Sequence, residues 1–202
     1  SILGYGCMRW PMIKDENGKE IVDQEAVNSL VDYAMAHGVN YYDSSPVYLQ
    51  GQSEQATGIA LSRYPRESYF IATKLSNFSN STRENSIEMY RMSLKNFQTD
   101  YIDYYLLHSM GDLNTFRTRF VDNGMMDFLM EERKAGRIRH LGFSFHDSYE
   151  VFEEMINYRD WDFAQIQLNY VDADEQAGVK GYELAEKKGI PLVIMEPIKG
   201  GS

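Results

Sequence analysis

The sequence predicts an α/β fold in which parallel strands are joined by helices. Short strand-like runs alternate with amphipathic helical patterns along all 202 residues, and such alternation is typical of βαβ units. One strand and its following helix occupy roughly thirty residues, a repeat that fits either a closed (β/α)8 barrel or an open doubly wound sheet. No linker or low-complexity segment interrupts the pattern. We therefore expect a single domain over residues 1–202.

Seven runs have the length and apolar content of buried strands. In chain order they are 2–8, 39–43, 69–74, 101–108, 138–144, 163–167 and 190–195. An open nucleotide-binding sheet should carry three spaced glycines after its first strand. Gly4 and Gly6 begin such a motif, but Arg9 stands at the third position. The sequence therefore lacks that motif.

The segments between these runs carry the start and stop signals of helices. Ser81 and Glu84 have the spacing of a capping box ahead of the third helix. Gly38 and Gly189 follow the first and the sixth helix, where a left-handed glycine commonly ends a helix. We expect about six helices.

The composition excludes several classes of function. With 43% hydrophobic and 25% charged residues the chain can bury a core, and a net charge of -10 disfavours nucleic-acid and anionic-membrane partners. Apolar runs are far shorter than the roughly 20 residues of a membrane helix. The single cysteine, Cys7, rules out an internal disulfide framework and a cysteine-only metal cluster. We expect a cytoplasmic protein that acts on a small molecule.

Polar residues whose side chains can take part in catalysis or binding end successive predicted strands or lie on them. In a closed barrel they would share one mouth, where barrel enzymes assemble their sites. Taken singly, each has a structural explanation: an aspartate before two serines shapes turns, and a lone histidine is more often a satisfied core residue than a catalyst. In chain order these residues are Asp43, Lys74, His108, Ser144 and Gln165.

Together with Tyr48, three of these residues describe a site that can reduce a carbonyl group. Hydride delivered to the carbonyl carbon leaves charge on the oxygen, so a proton donor is needed there. Tyr48 can be that donor, because a nearby Lys74 ammonium would lower the phenol pKa from about 10. Asp43 would hold Lys74 in place, and His108 would orient the carbonyl oxygen. This chemistry needs no metal.

These residues resemble the aldo-keto reductase family, in whose motif a tyrosine follows an aspartate by five positions. Here the motif reads Asp43-Ser44-Ser45-Pro46-Val47-Tyr48, and Lys74 and His108 resemble the lysine and histidine of the family. The resemblance implies a (β/α)8 TIM barrel, incomplete here with about seven strands and six helices. It also implies an oxidoreductase that reduces an aldehyde or ketone, or oxidises the matching alcohol, with Tyr48 as general acid/base. The implied cofactor is NADPH, with NADH as the alternative.

The resemblance extends to the cofactor side of the site. Ser144 and Gln165 match residues that hold the nicotinamide carboxamide, whereas Phe145 stands where asparagine is usual. Met195 stands where many members stack a tyrosine on the nicotinamide ring. The other residues expected at the cofactor, near its ribose or beside the ring, are Gly6, Cys7, Met8 and Asp43.

The substrate pocket is expected at the mouth of the barrel. Segment 109–124 is long enough to fold over the mouth as a substrate loop. The side chains expected to line the pocket are Trp10, Phe78, Met110, Phe145 and His146.

Segments 142–147 and 195–201 look most like a bacterial branch of the family, in which a ferredoxin-like tail with a cysteine cluster can follow the barrel. The resemblance stops after the seventh strand, before the eighth strand and the segment that binds the adenosine phosphate. A barrel that lacks this part should leave a sheet edge unpaired. The alternative function is a cofactor-sensing regulatory or binding module with the same fold. The substrate and the oligomeric state are not readable from the sequence.

Overall fold

The computed structural model describes residues 2–199, in which seven parallel strands form one curved sheet. Within 2–199 there are nine strands, of which β2 and β3 lie outside this sheet. In chain order they are β1 (Tyr5–Gly6), β2 (Met12–Lys14), β3 (Glu20–Val22), β4 (Tyr41–Asp43), β5 (Phe70–Leu75), β6 (Ile102–Met110), β7 (Ile138–Phe145), β8 (Phe163–Gln167) and β9 (Leu192–Met195). The sheet order β1-β4-β5-β6-β7-β8-β9 follows the chain without reversal. An open doubly wound sheet would reverse at a switch point, so the fold is an incomplete (β/α)8 barrel. Within 2–199, β1 and β9 each pair with a single neighbour.

Helices join the strands of this sheet. They are α1 (Gln24–Ala36), α2 (Ser53–Leu61), α3 (Arg83–Asn96), α4 (Leu113–Phe116), α5 (Met125–Lys134), α6 (Tyr149–Asn157) and α7 (Gly178–Lys188). Gly38 and Gly189 follow α1 and α7 with positive φ, as predicted. The cap of α3 is Thr82 instead of Ser81, because the Thr82 hydroxyl accepts the Asn85 amide. None of the helices in 2–199 combines the length and the apolar character needed to span a membrane.

Three local features differ from the sequence prediction. The first strand is only two residues long, because a helical turn, Cys7–Arg9, follows Gly6. Strands β2 and β3 form an antiparallel hairpin that was not predicted. Segment 109–124 is not a free loop: α4 and one π-helical turn, Arg117–Val121, fill most of it. Gly200 and Gly201, the end of one branch-specific segment, lie outside the described residues.

Most of the apolar core lies between the sheet and the surrounding helices. Phe143 and Phe145 on β7 pack against Phe152 of α6, with ring centroids 6.0 and 5.2 Å apart. Helices α2 and α3 approach closely at Gly58, where an added Cβ would lie 2.0 Å from the carbonyl oxygen of Asn96. This layer holds the strands in register and leaves their other face for the site.

A second, smaller apolar cluster lies on the inner face of the curved sheet. Its buried members are Ala72, Leu106 and Phe163, and Tyr41, Tyr104 and Val193 pack against them. Side chains alternate along a strand, so residues two positions further on share the same face. That step leads to the residues at the carboxyl ends of the strands, namely Asp43, Lys74, His108, Gln165 and Met195.

Candidate active site

The predicted catalytic residues meet at the carboxyl end of the inner face. The Nζ of Lys74 lies 2.5 Å from Oδ1 of Asp43 and donates to the carbonyl oxygen of Ser44 at 2.8 Å. The lysine side chain is only 2% exposed. Burial alone would lower the pKa of Lys74, but the Asp43 carboxylate and Tyr48 outweigh it and the pKa is raised. Lys74 is therefore a buried, charged ammonium.

Tyr48 stands beside this ion pair on a turn after β4. Three consecutive residues there have left-handed backbone, with φ of 51° at Leu49, 56° at Gln50 and 90° at Gly51. The Nζ of Lys74 is 4.9 Å from the centroid of the Tyr48 ring. Burial raises the pKa of the Tyr48 phenol, and the charge of Lys74 opposes that rise. The phenol is therefore protonated at neutral pH.

His108 completes the group from the end region of β6. Its Nδ1 lies 2.5 Å from the hydroxyl of Ser76 and 3.4 Å from that of Ser45. The His108 and Tyr48 rings meet edge to face with centroids 6.0 Å apart. Burial, together with the charges of Lys74, Arg119 and His146, lowers the pKa of His108 to about 3. The imidazole is therefore neutral at physiological pH.

Two serines and an arginine near His108 were not singled out from the sequence. The hydroxyls of Ser45 and Ser76 lie 2.9 Å apart, so they form one short network with Nδ1. Arg119, in the π-helical turn, donates from Nη1 to the carbonyl oxygen of His108 at 3.1 Å. Serines in turns and an arginine in a predicted loop carry no periodic signal, and only the fold brings them together.

Residues predicted for the cofactor side lie on the same inner face. Gln165 donates from Nε2 to Oδ2 of Asp43 at 3.2 Å, while its Oε1 is buried without a hydrogen-bond partner. The hydroxyl of Ser144 accepts the Ser109 amide at 2.8 Å. At Gly6, an added Cβ would meet nothing within 4 Å. The unused buried acceptor of Gln165 fits a carboxamide, which supplies N–H donors.

The remaining cofactor-side predictions have mixed surroundings. Met195 on β9 is half-buried, opposite Gln167 in the strand pairing. Met8 is 52% exposed, whereas Cys7 is fully buried with its Sγ 3.7 Å from the carbonyl oxygen of Tyr5. The carbonyl oxygen of Cys7 accepts the hydroxyl of Ser53 at 2.7 Å. Cys7 therefore belongs to the core and, contrary to its prediction at the cofactor, offers no surface to a ligand.

Three residues predicted for the substrate pocket belong instead to the core. Trp10 is 3% exposed, and its indole N–H donates to Thr57 of α2. Met110 is 1% exposed, and Phe145 packs against α6. The prediction for Phe145 followed the family position and overlooked strand alternation, which puts Phe145 on the helix side with Phe143. These three side chains do not provide surface at the mouth.

Phe78 and His146 do lie at the mouth. Phe78 is 52% exposed, and its ring centroid is 5.1 Å from that of His108. His146 is exposed directly after β7, and its backbone amide donates to the carbonyl oxygen of Met110 on β6 at 3.5 Å. An aromatic side chain and a second imidazole therefore border the group around Tyr48.

Comparison with known proteins places the chain in a family. The sequence model of the Aldo/keto reductase family matches residues 3–202. "Probable aldo-keto reductase 1" of Glycine max is 30% identical over 152 residues, covering 71% of this chain and 41% of the relative. "NADH-specific methylglyoxal reductase" of Escherichia coli (strain K12) is 28% identical over 181 residues, covering 81% of this chain and 54% of the relative.

A solved structure of an aldo-keto reductase from Klebsiella pneumoniae in complex with NADPH superimposes with a TM-score of 0.72 at 20% identity. The match covers 98% of this chain and 64% of that chain, and at this identity it speaks for the fold alone. The chain belongs to the aldo-keto reductase family. It spans about half the length of the curated relatives that it matches.

Proposed function

We propose that the protein is a nicotinamide-dependent oxidoreductase that interconverts a carbonyl compound and its alcohol. The observation that carries the proposal is the convergence of Tyr48, Lys74, Asp43 and His108 on one spot at the carboxyl ends of the strands. A carboxylate, an ammonium, a phenol and a neutral imidazole are sufficient to protonate and orient a carbonyl oxygen.

Tyr48 serves as the general acid in carbonyl reduction. Its raised pKa keeps the phenol protonated before the reaction, and the Lys74 ammonium stabilises the phenolate that remains after proton donation. Asp43 keeps Lys74 charged despite its burial. In the oxidation direction, the same phenolate accepts the proton of the alcohol.

His108 orients the substrate oxygen as a neutral donor. When the Ser76 hydroxyl donates to Nδ1, the remaining proton of the ring is on Nε2. That N–H then points a hydrogen bond at the carbonyl oxygen beside Tyr48. A pKa of about 3 means that His108 does not compete with Tyr48 as the acid.

The nicotinamide carboxamide would be held by the side chains of Ser144 and Gln165. The open space at Gly6 would accommodate the cofactor, and Met195 would contact the nicotinamide ring. The reduced nicotinamide supplies the hydride in this chemistry. We name NADPH as the cofactor and NADH as the alternative, since one relative is described as NADH-specific and one structural neighbour holds NADPH. The carbonyl is that of an aldehyde or ketone.

The test replaces Tyr48 by phenylalanine and follows the loss of nicotinamide absorbance with a panel of aldehydes and ketones. We expect the Tyr48→Phe variant to lose about 10²-fold to 10⁴-fold in kcat/KM, because the proton donor is gone. Tyr33→Phe is the matched control, since Tyr33 is 68% exposed on α1. Equal turnover in the wild type and Tyr48→Phe would overturn the assignment. Cofactor binding without turnover of any carbonyl would favour a sensing module.

A further inference from the structure

Arg119 carries a buried positive charge that no carboxylate neutralises in the described part of the chain. The residue is 7% exposed and takes part in none of the ion pairs found in 2–199. Burial lowers the pKa of Arg119 to about 10, which leaves it charged at neutral pH. Buried charges are otherwise paired, because an unpaired one is costly.

The hydrogen bonds of the Arg119 guanidinium are incomplete. Nε donates to Oδ1 of Asn77 and Nη1 donates to the carbonyl oxygen of His108, each at 3.1 Å. Nη2, which carries two N–H donors, is buried without a partner. Two uncharged acceptors therefore hold the group in place. Among the described residues, three of its five N–H donors have no partner, one on Nη1 and both on Nη2.

The free end of Arg119 lies next to the reacting group. The guanidinium carbon lies 4.6 Å from the centroid of the Phe78 ring and 4.7 Å from that of the Phe120 ring. The Phe78 ring also contacts the imidazole of His108, with centroids 5.1 Å apart. Phe78 is half exposed whereas Phe120 is fully buried, so the Phe78 side of the guanidinium is the one nearer to solvent. Arg119 itself lies in a π-helical turn, a feature frequent at functional sites.

We infer that Arg119 binds the anionic group of the substrate, and that the substrate is a short carbonyl compound bearing a carboxylate. The planar guanidinium matches a carboxylate in two parallel hydrogen bonds. The substrate carboxylate would lie beside Phe78 while its carbonyl group reaches Tyr48 and His108. The position of the substrate carbonyl in this inference rests on the proposed function. The negative charge of the substrate is inferred from Arg119 alone.

The first experiment measures binding without turnover. Succinate and its neutral analogue succinamide are titrated into the 202-residue chain by calorimetry, with wild type, Arg119→Met, Arg119→Lys and Arg117→Met. Arg117 lies in the same turn but is exposed, so Arg117→Met removes the same charge from the surface. We expect Arg119→Met to weaken succinate binding at least tenfold. Arg119→Lys should weaken it threefold to tenfold, because an ammonium cannot make the two parallel hydrogen bonds of a guanidinium. Arg117→Met should change it less than twofold. Succinamide should bind weakly to all four proteins.

Equal affinity of the wild type for succinate and succinamide would overturn the inference, and so would unchanged succinate binding in Arg119→Met. Circular dichroism and thermal unfolding check that the variants fold. If Arg119→Met does not fold, the comparison of wild type with Arg119→Lys decides, and equal succinate affinity in those two proteins counts against the site.

The second experiment compares turnover of 4-oxobutanoate and butanal, which differ in the carboxylate. The wild type should prefer 4-oxobutanoate at least tenfold in kcat/KM. Arg119→Met should bring that ratio close to one, whereas the control Arg117→Met should keep the ratio of the wild type. Equal wild-type rates on both aldehydes would refute the anion site and leave the proposed function standing. Succinate binding that depends on Arg119, without turnover of either aldehyde, would refute the proposed function and leave the anion site standing.

Discussion

Gln165 on β8 donates a hydrogen bond to the carboxylate of Asp43 on β4, at 3.2 Å. The two strands are not neighbours in the sheet, so this bond crosses the space that the curved sheet encloses. The other carboxylate oxygen of Asp43 pairs with Lys74. One aspartate therefore joins the residues proposed for proton transfer to those proposed for the nicotinamide.

Replacement of Gln165 by leucine should weaken cofactor binding about tenfold, since one hydrogen bond to a carboxamide in a buried site is worth about 1.5 kcal/mol. Calorimetric titration with NADPH and with NADH measures the effect. Gln55→Leu is the control, because Gln55 is exposed on α2. An unchanged affinity in Gln165→Leu would mean that Gln165 serves only to hold Asp43.

Replacement of Lys74 by methionine should lower the free energy of unfolding by about 3 kcal/mol, because it leaves the Asp43 carboxylate without its buried partner. Urea unfolding measures this quantity. The double variant Asp43→Asn/Lys74→Met should recover part of the loss, since neither charge then remains. A double variant whose loss equals the sum of the two single losses would show that the ions do not interact.

The neutral state of His108 predicts how stability depends on pH. Its pKa is about 3 in the folded chain against an ordinary value of 6.5, so the unfolded chain binds more protons between these values and stability falls as the pH drops through this window. At pH 5 the cost from this residue is about 2 kcal/mol. His108→Gln should therefore lose less stability than the wild type between pH 7 and pH 5, as measured by urea unfolding. Parallel curves for the two proteins would contradict the prediction.

Ser76 should matter for the rate and little for substrate binding. Ser76→Ala removes the closest hydrogen-bond partner of His108 Nδ1, so both ring tautomers become accessible and kcat should fall about tenfold. KM should stay within twofold. The exposed serine at the end of α2 provides the control Ser62→Ala. If kcat in Ser76→Ala equals that in the control, the Ser76 hydroxyl does not position the imidazole.

Gly58 tests the helix layer that supports the sheet. An alanine there would drive its methyl group into the backbone of α3 at Asn96, so Gly58→Ala should destabilise the fold by about 2 kcal/mol. Gly6→Ala has open space around its Cβ, so its melting temperature should differ from that of the wild type by less than about 2 °C. A melting temperature for Gly58→Ala equal to that of Gly6→Ala would show that α2 moves away from α3 without cost.

Sequence periodicity predicted the central sheet and the inward-facing part of the site. Asp43, Lys74 and His108 each end or follow an apolar run, and parallel strands bring their carboxyl ends to one side. Alternation along β8 likewise predicts that Gln165 shares the inner face with Phe163. The same rule, applied to β7, separates Ser144 from Phe145, so the core position of Phe145 was readable from the sequence.

Other features could not be predicted because their stabilisation is tertiary. The hairpin of β2 and β3 has only three residues in each strand, and those strands are half-buried or exposed, so no apolar alternation marks it. Arg119 lies in a segment that folds because Phe116 packs against Tyr158 and Trp161, more than forty residues later. Ser76 contributes through its position next to His108, which only the pairing of β5 with β6 establishes.

The left-handed run after Tyr48 has a consequence for attempts to improve this protein. Leucine and glutamine in that conformation each cost roughly 1 kcal/mol or more, and glycine would adopt it freely. A thermostability screen should therefore select glycine at Leu49 or Gln50. The backbone that carries the Tyr48 phenol would be more flexible in the selected variants. Gains in melting temperature at this turn should therefore be accompanied by losses in turnover.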